Sequence, residues 1–312
     1  MRGSFQESVG LDDVKIPETG ERMEQRDQPS VPTLDDFKDK LEDIFKSETP
    51  DSVPMKEDFS EAELLEESAS SSVTLEDGTV VILSGVKNYE NVIKTDDNGT
   101  IYLKEGELEP NTTYELNGNI YTTDEQGRII HCEAKPERSP ENPRDISAQI
   151  RVGGEDRRPS DQGGHIVGRD LNGDGGAGNL VAMDSKINQS DYKRMENEIK
   201  NALDEGKDVA VTTDISYSDN SKRPDTITVT MTVDGVKTVY KFDNNLDGSL
   251  KDEIPENGKE AVQEELNDTN GEISSIKEEY DENGELTETT VNITYTDENG
   301  INHRTKVHID AD

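Results

Sequence analysis

The sequence predicts an α+β fold in which antiparallel strands greatly outnumber helices. Residues Thr226–Val233 alternate threonine with apolar side chains, which is the pattern of a strand with one buried face. Residues 192–203 instead place apolar side chains three and four positions apart, as an amphipathic helix does. Asn-Gly and Asp-Gly dipeptides, which favour tight β-hairpin turns, recur at residues 77–78, 117–118, 234–235, 283–284 and 299–300.

Composition and charge exclude several classes of protein. The 312-residue chain has a net charge of −38, only 29% hydrophobic residues and no tryptophan, so we expect part of it to lack a packed core. No run of residues approaches the roughly 20 apolar positions of a membrane helix, and the N-terminus has no apolar signal core. The single cysteine, Cys132, excludes an internal disulfide and a cysteine-based zinc cluster. Because the sequence has no long apolar run, we expect no membrane partner.

The first part of the chain is predicted to be an acidic leader. Residues 1–71 contain 8 Lys/Arg and 20 Asp/Glu together with several prolines, which predicts a mostly disordered segment. Residues 34–45 and 59–65 show brief amphipathic patterns, and a docking segment for a carrier or inhibitor is the alternative interpretation. Residues 72–106 are predicted to be a β-rich extension that begins with a hairpin. A strand pair at residues 112–122 follows.

Residues 136–161 are predicted to be a polar loop, and the best candidates for a functional site come after it. Residues 144–200 carry 9 Lys/Arg against 10 Asp/Glu, so a nearly neutral region interrupts the acidic chain, as a site for an anionic ligand would. His165 follows Gly163 and Gly164, which predicts a tight turn that presents the imidazole at the entrance of a short strand. Because histidine titrates near neutral pH, this imidazole can accept a proton from water.

The residues that follow are predicted to form a glycine-rich loop, a buried apolar strand at 179–183 and the amphipathic helix. Residues 188–191 offer helix N-cap candidates, and Gly206 is placed to end the helix. Asn188 and Glu196 are eight residues apart, a little over two helical turns, so they lie on roughly the same side. An amide oxygen and a carboxylate there are ligands suited to Mg²⁺. A simple N-cap role for Asn188 is the alternative.

Three blocks of residues agree in order and spacing with a known family. They are Asp161, Gly163, Gly164 and His165, then Asn179, Leu180 and Val181, then Asn188, Tyr192, Arg194, Met195 and Glu196. They resemble the DNA/RNA non-specific endonucleases, in the form with an Asp-x-Gly-Gly-His motif found at the ends of bacterial polymorphic toxins. The resemblance implies a ββα-metal nuclease core with an antiparallel sheet over residues 107–245. That core would be flanked by the acidic disordered N-terminus and a β-rich C-terminal appendage.

The resemblance also implies a role for each matching side chain. His165 would be the general base that activates water, and Asn188 would bind a single Mg²⁺ (or Mn²⁺) directly. Glu196 would hold a metal-bound water, and Asn179 would orient the site. The reaction would be hydrolysis of phosphodiester bonds in DNA, with RNA left open as a second substrate. The chain would be a bacterial toxin or effector, delivered without a visible signal peptide or cytoplasmic, with an immunity or inhibitor protein as a candidate partner.

One position departs from the family's pattern. Gln162 stands where many relatives carry an arginine, so the cation that stabilises the transition state must come from elsewhere. The candidates are Arg144, Arg151, Arg157 and Arg158, of which we take Arg158 as the catalytic one. The sequence pI of about 4.3 also conflicts with nucleic-acid binding. Positive charge confined to the region of the site would explain this conflict. Acidic ends that mimic nucleic acid and screen the site until delivery would also explain it.

The strands after the helix are predicted to form a meander, and the last part of the chain repeats its order. Residues 246–312 contain 5 Lys/Arg and 19 Asp/Glu, with a helix near 261–266 followed by three strands. We interpret them as an acidic αβ appendage, either a degenerate half-repeat or a plain β extension. Residues 170–175 and 243–248 begin like calcium loops but lack the required glutamate at position twelve. The alternative function is therefore an acidic β-rich binding module, calcium-responsive or not, with an inactive nuclease-like core.

Overall fold

A computed structural model describes residues 71–74, 80–83 and 92–311. Nearly all of the predicted acidic leader, with its two short helices, lies outside the described residues. The strands are β1 (Ser71–Thr74), β2 (Val80–Leu83), β3 (Ile93–Thr95), β4 (Ile101–Lys104), β5 (Glu107–Leu108), β6 (Thr113–Leu116), β7 (Asn119–Thr123), β8 (Ile129–Ala134), β9 (Asp161–His165), β10 (Leu180–Asp184), β11 (Val209–Ser216), β12 (Thr226–Val233), β13 (Val236–Asp243), β14 (Glu272–Tyr280), β15 (Leu286–Thr296) and β16 (Asn302–Asp310). The helices are α1 (Ile146–Arg151), α2 (Lys193–Asp204) and α3 (Lys259–Thr269), and a π-helical turn (Ile187–Tyr192) leads directly into α2.

One large antiparallel sheet dominates the part of the chain that the structure describes. Its strand order is β16-β15-β14-β13-β12-β11-β8-β7-β6. The predicted meander is confirmed as β11–β13, and the predicted C-terminal strands are confirmed as β14–β16. These last strands continue the same sheet, since β14 pairs with β13 through Phe242 and Ser275. The predicted mixed fold, with antiparallel sheets, few helices and a β-rich C-terminus, is confirmed.

The predicted hairpins form where the turn dipeptides indicated them. β1 and β2 pair antiparallel around residues 75–79, which the structure does not describe. Between β6 and β7, Asn117 and Gly118 have φ angles of 53° and 79°. Two consecutive positive φ angles are what a tight two-residue hairpin turn requires. Gly206, with a φ angle of 76°, follows the end of α2 as predicted.

Two apolar clusters lie against the sheet. The first contains Cys132 and the buried rings of Tyr102, Tyr114 and Tyr121, which stack with centroid distances of 4.8 and 5.4 Å. The second, formed by the C-terminal part of the chain, contains Leu250, Ile254, Val262, Leu266, Ile273, Ile276, Val291, Ile293 and Ile309. The order α3 then β14–β16 repeats the order α2 then β11–β13. This supports the half-repeat interpretation, which stays a proposal together with the domain boundaries.

The prediction of a continuous loop over residues 136–161 is wrong, because it contains α1. The Asp145 carboxylate accepts a hydrogen bond from the backbone nitrogen of Ala148 at 3.1 Å and so caps this short helix. β9 and β10 pair with each other outside the large sheet. No helix within the described ranges is both long enough and apolar enough to cross a bilayer.

Candidate active site

The glycine pair before His165 lies inside strand β9, so the predicted tight turn at this place is wrong. A Cβ atom on Gly163 would stand 2.8 Å from the Cα of Gln149, and one on Gly164 would stand 2.8 Å from the Cβ of Met183. Real side chains do not tolerate such distances, so the glycines allow α1 and β10 to pack directly on β9. His165, the last residue of β9, is therefore held by close packing on both sides of the strand.

Asn179 fixes the loop that follows His165. Its side chain is fully buried, and its Oδ1 accepts hydrogen bonds from the Tyr121 hydroxyl at 3.0 Å and from the Val167 nitrogen at 2.9 Å. Its Nδ2 donates to the carbonyl oxygens of Val167 at 2.8 Å and Asp174 at 2.7 Å. These hydrogen bonds hold the backbone beside the site in place.

The π-helical turn places Asn188 beside β9. Residues 188–191 belong to this turn and the helix has no side-chain cap, so the predicted N-cap is wrong. The Asn188 Nδ2 instead donates to the Oε1 of Gln162 at 2.7 Å. Because Gln162 engages the amide nitrogen, the amide oxygen is the atom that remains for a ligand. The Tyr192 hydroxyl anchors the end of the turn by donating to the Ile166 carbonyl at 2.8 Å.

One pocket brings His165, Asn188 and Glu196 together. Its other lining residues are Glu141, Gly168, Arg169, Asp170, Gln189, Lys193 and Lys200. Three side chains that the sequence analysis assigned to one site thus face a shared pocket, although 31 positions separate the first from the last. Sequence analysis missed Lys200, which a spacing of four residues from Glu196 on the same helix could have revealed.

The charged groups of this pocket are largely paired with each other. The Lys200 Nζ lies 2.7 Å from the Oδ2 of Asp170, and the Arg169 Nη2 lies 2.7 Å from the Oε2 of Glu141. An anionic ligand that enters would therefore exchange these carboxylates for its own oxygens. Because the site holds both cations and carboxylates, it suits a phosphate accompanied by a metal ion better than a phosphate alone.

His165 is a buried imidazole without its full set of partners. Its Nε2 is buried, and no hydrogen-bond partner for it lies among the described residues. Burial, with Arg169 and Arg144 nearby, lowers the pKa of His165 to about 3. The imidazole is therefore neutral at physiological pH and can accept a proton.

Glu196 is a carboxyl group held in a poorly solvated place. A Cβ on Gly168 would stand 2.8 Å from the Glu196 Oε1, so the glycine gives the carboxylate room. The pKa of Glu196 is raised to about 7, and burial is the largest cause. The negative charge of Asp170 raises this pKa further, whereas the positive charge of Lys200 lowers it. A carboxyl with such a pKa is a strong candidate for a functional group, since a nearby cation would stabilise its charged form.

Arg158, the arginine chosen from sequence, lies away from these residues. It lines a second pocket with Asp156, Ser160 and Asp225, and that pocket shares no residue with the pocket of His165. The neighbouring Arg157 is occupied with backbone carbonyls, among them that of Asp161 at 2.8 Å. The cations that do line the site are Arg169, Lys193 and Lys200.

The motif aspartate, Asp161, has a structural contact that sequence analysis missed. Its buried carboxylate receives two hydrogen bonds from Arg223, through Nε at 2.8 Å and Nη2 at 3.0 Å. Arg223 also donates to the Asn244 carbonyl at 2.6 Å and to the Asn245 Oδ1 at 2.7 Å. Arg223 thereby joins the start of β9 to the end of β13. A lone arginine in a polar loop gave no sequence signal of this contact.

The calcium-like loops satisfy their carboxylates with backbone groups. Asp243 accepts hydrogen bonds from the backbone nitrogens of Asn245, Leu246 and Gly248 at 3.1, 2.9 and 3.0 Å. The Asp174 Oδ2 likewise accepts from the Gly176 nitrogen at 2.7 Å. Within the described part of the chain, no group of three or more His, Cys, Asp or Glu side chains is arranged to hold a metal ion. A metal at the pocket would thus depend on few protein ligands and on water.

Comparison with known proteins shows which family the segment around this pocket is similar to. Residues 110–235, less than half of the chain, match the model of the DNA/RNA non-specific endonuclease family. The resemblance drawn from the three motif blocks is thereby confirmed. The chain is also similar to the type VII secretion system protein EssD of Staphylococcus aureus strains USA300, NCTC 8325 / PS 47 and Newman. Each is 33% identical over 149 residues, which cover 46% of this chain and 24% of the relative's length.

Proposed function

We propose that the chain is a metal-dependent endonuclease that hydrolyses phosphodiester bonds of DNA, with RNA as a second substrate class to be tested. The observation that carries the proposal is the shared pocket of His165, Asn188 and Glu196 within the family segment. β9, β10 and α2 would be the ββα-metal core, inside a nuclease domain of residues 107–245.

The donor atoms in the pocket fit a hard divalent cation such as Mg²⁺ or Mn²⁺. Asn188 would hold it through the amide oxygen that Gln162 leaves available, and Glu196 would hold it through water. When bound, the metal would neutralise charge on the phosphate and stabilise the leaving 3′ oxygen. Gln162 thus has a role of its own in this chain, because it orients the amide.

His165 would act as the general base. Its neutral, unpartnered Nε2 can accept the proton of the attacking water. A phosphate beside it adds negative charge, which raises the pKa of the imidazole from its low resting value and makes it a better base. Asn179 would keep the backbone after His165 in place.

The cations of the pocket would take over the role first given to Arg158. Arg169, Lys193 and Lys200 line the pocket, and each can approach a phosphate oxygen there. We therefore assign charge stabilisation in the transition state to this group of three.

The relatives support a proposal about delivery. Their name places them in a type VII secretion system, and we propose that this chain is likewise a secreted nuclease effector. A cell that produces a nuclease of this kind must be protected from it, so an inhibitor or immunity protein is the proposed partner.

Plasmid cleavage tests the proposal. The full chain should cut plasmid DNA with Mg²⁺ and not with EDTA, and His165→Ala should lose about 10²- to 10⁴-fold in kcat, as removal of a general base does. His131→Ala is the matched control, because His131 lies at the surface of β8 paired with Asp214, and it should cut as wild type does. Retained cleavage by His165→Ala contradicts the mechanism. A wild type that cuts nothing favours the acidic binding module.

A further inference from the structure

The π-helical turn also carries Asp191, a buried carboxylate that pairs with Arg194 on α2 at 3.1 Å and with residues of the C-terminal part of the chain. Only 3% of its side chain is exposed. Its Oδ2 accepts hydrogen bonds from the hydroxyls of Ser274 and Ser275 on β14, at 2.5 and 3.1 Å. Its Oδ1 lies 2.6 Å from the Nε of Arg304 on β16. Removal of Arg304 would leave Arg194, whose side chain is 49% exposed, as the remaining charged partner of this buried carboxylate, and would weaken its compensation.

A residue of the third C-terminal strand completes this network. Asn292 on β15 donates through Nδ2 to the Ser275 hydroxyl at 2.8 Å, and its Oδ1 accepts a hydrogen bond from Arg304. Ser274, Ser275 and Asn292 are all buried. A buried network of linked polar groups favours one geometry, because a displacement would break its hydrogen bonds. The position of Asp191 is therefore set by β14, β15 and β16 together.

Further contacts join β14 to the chain on both sides of the turn. The Lys277 Nζ lies 3.0 Å from the Oε2 of Glu198 on α2, two residues after Glu196. The Lys186 Nζ, one residue before the turn, lies 3.9 Å from the Oε2 of Glu272. β14 thus makes contacts before, within and after the π-helical turn, along the segment that carries Asn188 and Glu196.

A π-helical turn needs such support. π-Helical turns are rare and occur frequently at functional sites, and an irregular backbone persists only when its surroundings determine it. Relaxation of this turn to a regular α-helix would rotate Asn188 relative to Glu196 about the helix axis. The two side chains would then no longer face the pocket together.

We propose that Arg304, Ser274 and Ser275 are positioning residues for the metal, acting through Asp191 on the turn that carries Asn188. The inference rests on the proposed function. It assigns to the C-terminal strands, which lie beyond the family segment ending at residue 235, a direct part in building the active site. It replaces the view of residues 246–312 as an acidic screen, and it predicts that their loss weakens metal binding.

Direct metal binding to the full chain tests the inference. Arg304→Met should weaken Mn²⁺ binding, measured by calorimetry without DNA, by about tenfold or more, as loss of an outer-shell partner does. At saturating Mn²⁺ its KM for DNA should stay within about twofold of wild type. Lys306→Met is the matched control, because Lys306 is exposed on the same strand, and it should bind Mn²⁺ as wild type does. A Ser274→Ala, Ser275→Ala double variant should shift Mn²⁺ binding in the same direction as Arg304→Met.

Thermal unfolding of each variant separates positioning from folding. If Arg304→Met does not fold, the Mn²⁺ affinity of the double serine variant is compared with that of wild type instead. If the wild type cuts DNA and the folded variants bind Mn²⁺ as tightly as it does, this inference is overturned. The proposed function would not be affected by that result. A wild type that neither binds Mn²⁺ nor cuts DNA overturns both.

Discussion

Glu196 is the side chain whose ionisation should govern metal binding. Without metal its pKa is about 7, so it is mostly protonated at pH 6 and mostly charged at pH 8. A metal ion requires the charged form, so the affinity should rise as the pH increases, by about fivefold from pH 6 to pH 7 and by about twofold from pH 7 to pH 8. His165 does not contribute to this change, because its pKa of about 3 keeps it neutral over the whole range.

Calorimetric titration of Mn²⁺ into the full chain at pH 6, 7 and 8 measures this dependence. Glu196→Gln should bind more weakly at pH 8 and with little change across the range. An affinity of the wild type that does not vary with pH, or an equal variation in Glu196→Gln, would contradict the assignment.

The three residues around the pocket were accessible from sequence because their spacing follows a motif. The contacts that hold them were not. The hydrogen bond between Gln162 and Asn188 joins positions 26 residues apart, and nothing in either residue indicates the other. Arg158 shows that nearness in sequence does not place a residue at the pocket, since it is close to His165 in sequence but lines a different pocket.

The ion pair between Arg223 and Asp161 attaches the start of strand β9 to the loop after β13. Arg223→Met would remove the ion-pair partner of the buried Asp161 carboxylate, and loss of one partner of a buried pair typically costs about 3–5 kcal/mol. We expect urea unfolding to show a loss of that size. Arg158→Met, which changes an exposed arginine, should alter the free energy of unfolding by less than about 0.5 kcal/mol.

A loss below about 1 kcal/mol in Arg223→Met would show that Asp161 is solvated or compensated by other groups. Arg158→Met also checks the revised assignment of the catalytic cation. It should retain cleavage within about threefold, since Arg158 does not line the pocket.

The secondary elements were mostly predictable, and the exceptions share a cause. Strands such as β12, with strict alternation, and turns such as Asn117-Gly118 carry local signals that decide their structure. The π-helical turn and the glycine-containing strand β9 do not. Both depend on partners distant in sequence, namely Ser274 and Arg304 for the turn and Gln149 and Met183 for the strand.

The overall charge of the molecule should make its salt dependence shallow. The chain carries a net charge of −38, while the pocket is lined by the cations Arg169, Lys193 and Lys200. Each phosphate contact contributes about −0.9 to the slope of log affinity against log salt. We therefore expect log(kcat/KM) for DNA to fall with a slope of about −3 between 50 and 200 mM NaCl. At these salt concentrations, charges more than about 10 Å from the pocket are largely screened.

Lys200→Met should reduce this slope by about 0.9, because it removes one phosphate contact. A wild-type slope of −6 or steeper would indicate a larger basic surface than the pocket offers.

The lone thiol of Cys132 has a consequence for the proposed secretion of this chain. Burial raises its pKa to about 12, so the sulfur stays protonated and out of reach of oxidants. The covalent state of Cys132 would therefore be the same in a reducing cytoplasm and in an oxidising exterior. Passage between the two would require neither a chaperone for disulfide formation nor repair of an oxidised side chain at this position.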